Sequence, residues 1–192
     1  MSEEKIKILG ITGPSGCGKD TITRWLANAN PNKYHYCKLC TTRPQRNEED
    51  NGYYFLKVSE YAVKVLDGTM LNTQEFRGWF YGLSKEELVK NKINLLPMSN
   101  EMVMQMNEEN NSKYDLKIVY IHTFDKARLS HILVREKNPD CKEICRRFLT
   151  DYDDYINNQE LISHCYKIIT NEYNENFFLD GTLAAAACFE GD

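Results

Sequence analysis

Residues 13–21 read Gly13-Pro14-Ser15-Gly16-Cys17-Gly18-Lys19-Asp20-Thr21. The glycines and the lysine have the spacing of the phosphate-binding loop G-x-x-x-x-G-K-[ST], but Asp20 stands where Ser or Thr normally binds magnesium. The apolar segment 5–12 before the loop predicts a buried parallel strand, and segment 21–28 after it has helical character. In this context the loop amides and the helix N-terminus can hold phosphate oxygens, and Lys19 adds a point charge. The stretch therefore predicts a site for a nucleoside triphosphate.

Segments that predict strands and helices alternate along the rest of the chain. Core strands are predicted at 93–98, 116–121 and 166–170, and shorter extended segments within 34–56 and 70–82. Predicted helices cover 59–66 with Ser59 as the N-cap, a segment opened by the capping-box pattern Ser84-Lys85-Glu86-Glu87, and 100–109, 125–136, 142–155 and 183–188. This alternation predicts an α/β fold on a parallel sheet with inserted subregions.

The composition is that of an ordinary globular chain. Its 192 residues suggest one domain that can bury a core, and 27% are charged and 42% hydrophobic. With 24 basic and 28 acidic residues, the net charge of −4 argues against a general nucleic-acid-binding surface. No apolar run approaches a membrane span, and the N-terminal residues lack the apolar region of a signal peptide. We therefore expect a cytoplasmic protein without nucleic-acid or membrane partners.

The seven cysteines are interpreted as reduced thiols, because an odd number in such a chain does not indicate a disulfide framework. Cys37-x-x-Cys40 and Cys141-x-x-x-Cys145 are the alternative, as zinc ligands. The turn and histidine pattern of a zinc ribbon is missing around them, so buried or incidental thiols are favoured.

A second candidate phosphate site follows the loop. Thr41-Thr42-Arg43-Pro44-Gln45-Arg46 places two arginines three residues apart, before an acidic turn and the aromatic stretch Gly52-Tyr53-Tyr54-Phe55. Arginine forks suit a phosphate dianion, and a tyrosine hydroxyl can add a donor. Alone, this stretch is equally typical of a solvated basic loop. Beside a phosphate loop it favours a second phosphate site.

At this point the chain resembles the guanylate kinase family. The phosphate loop, the Thr-Thr-Arg-Pro-x-Arg stretch, Gly78-Trp79-Phe80-Tyr81-Gly82, the Arg135 and Arg147 pair and the closing stretch 166–171 follow the family's order and spacing, over residues 5–172. The resemblance implies a single P-loop kinase domain over residues 1–192. It would comprise a core (1–33, 93–127 and 160–192), a region that binds the nucleoside monophosphate (34–92) and a lid (128–158). It also implies transfer of the ATP γ-phosphate to a nucleoside monophosphate with Mg²⁺, by a monomer or homodimer.

The resemblance implies roles for individual residues. Residues 13–21 would bind ATP, and the catalytic residues would be Lys19, Arg43, Arg135 and Arg147, the last two closing over the transferring phosphoryl group. The acceptor phosphate would be held by Arg43, Arg46, Tyr53 and Tyr81, with Tyr54 as an alternative to Tyr53. A further lid arginine of the family falls at His131, and Arg128, one helical turn earlier, is a candidate substitute.

The chain departs from the family pattern where the base is read. The family's base-reading glutamate falls at Asn72, a nearby serine at Leu83, and an Asp-x-Asp at Pro97-Met98-Ser99. Asn72 can accept one hydrogen bond and donate another, so we expect Asn72 and Ser99 to belong to a base site that is relaxed or moved away from GMP. If the alignment slips, Glu75 or Ser84 does this work.

The chain also departs where magnesium is bound. Asp20 replaces the loop serine, and the acidic residue near the middle strand is lost at Pro97 or Ser99. Mg²⁺ favours oxygen ligands, so we expect Asp20 to take over part of its coordination. The opposing interpretation is that Asp20 repels the triphosphate and that the protein is a degenerate binder.

The leading hypothesis is an ATP-dependent nucleoside monophosphate kinase with GMP as the default acceptor. The alternatives are a catalytically inactive guanylate-kinase-like binding protein and a kinase of another small metabolite. The intact Lys19 and the arginines at 43, 46, 135 and 147 favour the first.

Overall fold

The computed structural model describes residues 5–45, 48, 51–108, 114–135, 139–174 and 176–189. Within them the strands are β1 (Ile6–Thr12), β2 (Tyr34–Tyr36), β3 (Leu39–Thr41), β4 (Tyr53–Phe55), β5 (Met70–Phe76), β6 (Trp79–Ser84), β7 (Ile93–Pro97), β8 (Tyr114–His122) and β9 (Lys167–Thr170). The α-helices are α1 (Lys19–Ala29), α2 (Val58–Leu66), α3 (Asn100–Glu108), α4 (Asp125–Arg135), α5 (Cys141–Asp151), α6 (Gln159–Ser163) and α7 (Asn176–Ala187).

The core is a parallel sheet of five strands in the order β2-β7-β1-β8-β9, with helices on both faces. Successive strand side chains point to opposite faces, so Leu9 and Ile11 of β1 pack toward α1 and α7, whereas Ile8 packs toward α3 and α6. Burial on both faces explains why the sequence of β1 is almost continuously apolar. The predicted α/β architecture on a parallel sheet is therefore present.

A second sheet of four strands, in the order β4-β3-β6-β5, forms the inserted region. Its β5–β6 hairpin turns at Arg77 and Gly78, where φ is 59° and 74°. Two consecutive positive φ angles are typical of the two-residue hairpin turn whose twist matches that of the strands. Helix α2 covers this sheet, and Tyr61 donates its hydroxyl hydrogen to the carbonyl of Tyr81 at 2.7 Å.

Two predicted boundaries, the start of the inserted region and the start of α2, differ from the structure. Strand β2 pairs with β7, so residues 34–36 belong to the core sheet rather than to the inserted region predicted from residue 34. Lys57 rather than Ser59 is the N-cap of α2, because Glu60 accepts a hydrogen bond from the Lys57 amide at 2.7 Å.

Several predicted helices also differ from those in the structure. The capping-box pattern at Ser84 opens only a 3₁₀ turn, Lys85–Glu87. Helix α5 ends at Asp151 and continues as a π-helical turn, Tyr152–Ile156. Helix α6 was not predicted, and α7 begins before residue 183.

Among the described helices, none combines the length and apolar character needed to cross a membrane.

Candidate active site

A cavity of about 650 Å³ lies between the phosphate loop, the second sheet and α5. It brings together many of the residues predicted from the sequence, which are Ser15, Lys19, Asp20, Arg43, Tyr53, Tyr81, Ser99 and Arg147. The other residues of the phosphate loop do not line the cavity. Gly13, Pro14 and Cys17 are buried, Gly16 and Gly18 are partly buried, and Thr21 is exposed. One continuous cavity therefore joins the predicted ATP loop to the predicted acceptor site.

The phosphate loop has the conformation that its glycines allow. Gly18 caps α1 with φ 94°, and a Cβ there would lie 2.7 Å from Nδ2 of Asn171. Its carbonyl accepts from the Ile22 amide at 3.0 Å, which starts the helix at Lys19. The N-terminus of α1 thus faces the cavity, where its free amides and its dipole favour phosphate oxygens.

Buried polar side chains hold the loop in place from β9 and β8. Asn171, which is 1% exposed, donates Nδ2 to the carbonyl of Cys17 at 2.8 Å, and Thr123 donates its hydroxyl to the same carbonyl at 3.3 Å. Burial raises the pKa of the Cys17 thiol, which is therefore neutral at physiological pH. The loop is a fixed cradle with an uncharged side chain at its centre.

Lys19 is held across the loop, with Nζ donating to the Gly13 carbonyl at 3.2 Å. Burial by itself lowers the pKa of Lys19, but the ionisable groups around it, first Cys17 and Tyr155 and then Asp20 and Asp151, together raise it above its ordinary value. Lys19 is therefore a cation at neutral pH. Asp20 is exposed in the first turn of α1 and lines the same cavity.

The residues predicted for the acceptor phosphate form an aromatic and basic wall. Arg43 is 7% exposed, and its guanidinium carbon lies 4.9 Å from the Tyr53 ring centre and 5.0 Å from that of Phe55. The Tyr53 and Tyr81 rings meet edge to face at 6.0 Å. Burial raises the pKa of Tyr53, so its phenol keeps a proton to donate. Tyr54 is 44% exposed and does not line the cavity, which favours Tyr53 over the alternative. Arg46 lies outside the described residues.

Helix α5 supplies two arginines to the cavity, Arg146 and Arg147. Both are paired with Glu143: Nε of Arg147 donates to Oε1 at 2.5 Å, and Nε of Arg146 donates to Oε2 at 2.9 Å. Arg77 of the β5–β6 turn bonds the same carboxylate, so Glu143 links α5 to the second sheet. Arg146 first, then Arg77 and Arg147, hold the pKa of Glu143 well below its usual range. Arg135 ends α4, and its side chain lies outside the described part of the chain.

Arg128 and His131, the two candidates for a further lid residue, do not line the cavity. The Arg128 side chain is fully buried beneath the cavity and donates to Asp151 Oδ2 at 2.7 Å and to the Ser15 carbonyl at 3.3 Å. His131 is exposed, with its ring 4.7 Å from that of Tyr173. Sequence reasoning missed Asp151, which accepts from the Ser15 amide at 3.0 Å. Its spacing four residues after Arg147, on the same face of α5, was the available signal.

The base side of the site departs from the prediction at Asn72. Asn72 is 4% exposed, does not line the cavity, and accepts with Oδ1 from the Leu83 amide at 2.9 Å, beside an irregularity in the β5–β6 pairing. Its Oδ1 therefore satisfies a backbone amide, whereas its Nδ2 is buried without a hydrogen-bond partner among the described residues. The alternatives Glu75 and Ser84 also lie outside the cavity lining, whereas Gln74, which was not predicted, belongs to it.

Comparisons with known proteins identify the family of the chain. The family model for guanylate kinase matches residues 5–176. The guanylate kinase of Thermosynechococcus vestitus is 31% identical over 153 residues, covering 78% of this chain and 79% of that protein. That of Helicobacter hepaticus is 29% identical over 171 residues, covering 86% and 82%. The match with a Nostoc guanylate kinase, 40% identical over 85 residues, spans 43% of this chain and only 42% of that protein.

The solved structure of guanylate kinase from Anaplasma phagocytophilum has a similar fold. It superposes with a TM-score of 0.65 at 17% identity, over 98% of this chain and 89% of that one. The predicted P-loop kinase fold and the family resemblance are both confirmed. The chain belongs to the guanylate kinase family, a family of nucleoside monophosphate kinases.

Proposed function

We propose that the chain transfers the γ-phosphoryl group of ATP to a nucleoside or deoxynucleoside monophosphate, with GMP as the default acceptor. The observation that carries this proposal is the continuous cavity lined by Lys19 of the phosphate loop and by Arg43, Tyr53 and Tyr81 of the second sheet. Two phosphate-binding walls that face one cavity suit a reaction between two phosphorylated substrates. Relatives named guanylate kinase support the same class of reaction.

Phosphoryl transfer needs in-line positioning and positive charge on the oxygens of the transferred group. On the donor side, Lys19 and the amides at the start of α1 would hold the triphosphate. On the acceptor side, Arg43 and the Tyr53 and Tyr81 hydroxyls would hold the monophosphate. Arg147 of α5 would stabilise the charge that develops between them. The position of α5 over the cavity would keep water from competing with the acceptor.

Asp20 is the residue that we propose for magnesium. Across the residues that the structure describes, no three acidic, histidine or cysteine side chains cluster as a metal site. Mg²⁺ in kinases needs no such cluster, since it keeps several waters and takes one or two carboxylates along with phosphate oxygens. The cavity-lining carboxylate of Asp20, beside the loop, fits that requirement. When bound, the ion would neutralise charge on the phosphates of ATP.

A coupled assay with ATP and Mg²⁺ tests the function, with GMP, dGMP, IMP, AMP, CMP and UMP as acceptors. We expect turnover of at least one monophosphate, with kcat on the order of 1–100 s⁻¹. Binding of ATP without transfer to any of them would support the inactive binding protein instead. Phosphorylation confined to another small metabolite would support the remaining alternative.

We expect this activity in the cytoplasm. We expect the protein to be a monomer or a homodimer, and light scattering on the same preparation measures which of the two it is.

A further inference from the structure

Gln74 is held in one orientation at the cavity wall. It lies in β5 directly opposite Tyr81 of β6, and both side chains line the cavity. The hydroxyl of Ser99 donates to Gln74 Oε1 at 2.6 Å. The Ser99 oxygen in turn accepts from the Met102 amide at 3.1 Å at the start of α3. The Ser99 hydroxyl thus links α3 to Gln74, whose amide has Oε1 toward Ser99 and Nε2 directed away from it.

This orientation leaves a defined set of hydrogen-bonding groups for a ligand. Among the described residues, none accepts a hydrogen bond from Gln74 Nε2, so both of its protons are available. Oε1 has a second lone pair beside the one that Ser99 occupies. The side chain can therefore offer one donor and one acceptor in a single plane.

The surroundings of Gln74 suit a planar ring. Phe76, two residues along the same face of β5, is 48% exposed and lines the cavity, as do Pro97 and Met98 from the end of β7. An aromatic side chain and apolar neighbours provide stacking surface for a base. Tyr81 is the cross-strand partner of Gln74, so the hydroxyl proposed for the acceptor phosphate and the Gln74 amide lie on one wall of the cavity.

We propose that Gln74, positioned by Ser99, reads the acceptor base in this chain. The inference rests on the proposed kinase function and specifies its substrate. A carboxylate would accept from both N1–H and the 2-amino group of guanine, whereas the Gln74 amide pairs one donor with one acceptor. This pattern matches O6 and N1–H, which guanine and hypoxanthine share, so the amide treats these two 6-oxopurines alike. The 2-amino group of guanine is then left unread.

The expected consequence is that GMP and IMP are equivalent substrates. For the full-length wild-type chain, we expect kcat/KM values for GMP and IMP within about 3-fold of each other, because the one group that distinguishes them makes no hydrogen bond. Gln74→Glu supplies the second acceptor and should raise the GMP-to-IMP ratio at least about 10-fold. Glu75→Gln, at an exposed neighbour that does not line the cavity, should leave the ratio unchanged.

Ser99 is tested as a positioning residue. Ser99→Ala loses the bond that orients Gln74, together with the bond to the Met102 amide, and should raise KM for GMP and IMP equally, by about 10-fold, with KM for ATP unchanged. Ser99→Thr keeps the hydroxyl and should restore most of the loss. A purely structural role of Ser99 would instead lower the stability of the protein and raise the KM values for ATP and for the monophosphate together.

Dissociation constants for GMP and IMP, measured by calorimetry on the same variants, separate failure of this inference from failure of the proposed function. If the wild type turns over no monophosphate, the proposed reaction is wrong. The ratio of the dissociation constants for GMP and IMP then decides the role of Gln74. A wild-type preference for GMP over IMP of more than about 3-fold would overturn the inference. The wild-type ratio decides the matter even if the variant does not fold.

Discussion

Arg128 and Asp151 form an ion pair of 2.7 Å, between Nη1 and Oδ2, that is shielded from solvent beneath the phosphate loop. The pair extends to the loop itself, because Asp151 also accepts hydrogen bonds from the Ser15 amide at 3.0 Å and from its hydroxyl at 3.2 Å. The Arg128 guanidinium further lies 4.2 Å from the centre of the Phe148 ring. Helices α4 and α5 are thereby fixed to the loop that would bind ATP.

Removing the carboxylate should destabilise the fold. Asp151→Ala leaves Arg128 buried with only Asp125, 3.2 Å away, as an acidic partner among the described residues, so we expect the free energy of unfolding in urea to fall by about 3 kcal/mol. Asp153→Ala, at an exposed position two residues later, is the control and should change it by less than about 0.5 kcal/mol. The double change Arg128→Met with Asp151→Leu should recover part of the loss. Equal effects of Asp151→Ala and the control would contradict the structural role of the pair.

Lys19→Met should remove catalysis while the fold is retained. The Lys19 cation lies in the loop and would act on the transferring phosphoryl group, so we expect kcat to fall by about 1,000-fold. Lys142→Met, at an exposed position on α5, is the matched control and should keep wild-type activity. Circular dichroism checks that both variants fold, and retained turnover in Lys19→Met would contradict the assignment.

Arg43→Lys should weaken binding of the acceptor selectively. Lysine keeps the charge but loses the planar fork that suits a phosphate dianion, and it loses the stacking on Tyr53. We expect KM for GMP to rise by about 10- to 100-fold, with KM for ATP unchanged. Steady-state kinetics with each substrate varied in turn measures this split. An equal rise in both KM values would place Arg43 outside a dedicated acceptor site.

Asp20→Ala tests whether the aspartate has taken over metal binding, because a serine at this position would itself supply the usual magnesium ligand. If the carboxylate helps to hold Mg²⁺, its removal should raise the Mg²⁺ concentration needed for half-maximal rate by about 10-fold. A titration of rate against Mg²⁺ at fixed ATP gives this value. Higher activity in the variant at all Mg²⁺ concentrations would support the opposing view, that Asp20 repels the triphosphate.

Alkylation of the cysteines should follow their burial. Burial raises the pKa of the Cys17 thiol, so the reactive thiolate is scarce at neutral pH and gains population only as the pH rises toward that raised value. We expect iodoacetamide at pH 7.5 to label the exposed Cys141 and Cys145 while Cys17 remains unlabelled, as measured by peptide mass spectrometry. Labelling of Cys17 should become complete in urea. Rapid native labelling of Cys17 would show that the loop opens.

Particular residues show how far sequence reasoning reached. The strand before the loop and the helix after it were predicted correctly, because hydrophobic periodicity and glycine spacing are local properties. Asn72 and Gln74 could not be told apart in this way. They lie on the same face of β5, and only the pairing with β6 and the position of Ser99 show which one reaches the cavity.

The sequence by itself determined the family, the parallel α/β core and the phosphate loop, since each depends on short patterns of residue type. The tertiary structure alone decided which side chains share the cavity. It buried Arg128 against Asp151, turned Asn72 toward the backbone and brought Gln74 to Ser99. Those contacts join residues 23, 11 and 25 positions apart, and they follow from how strands and helices pack against one another, which no local pattern encodes.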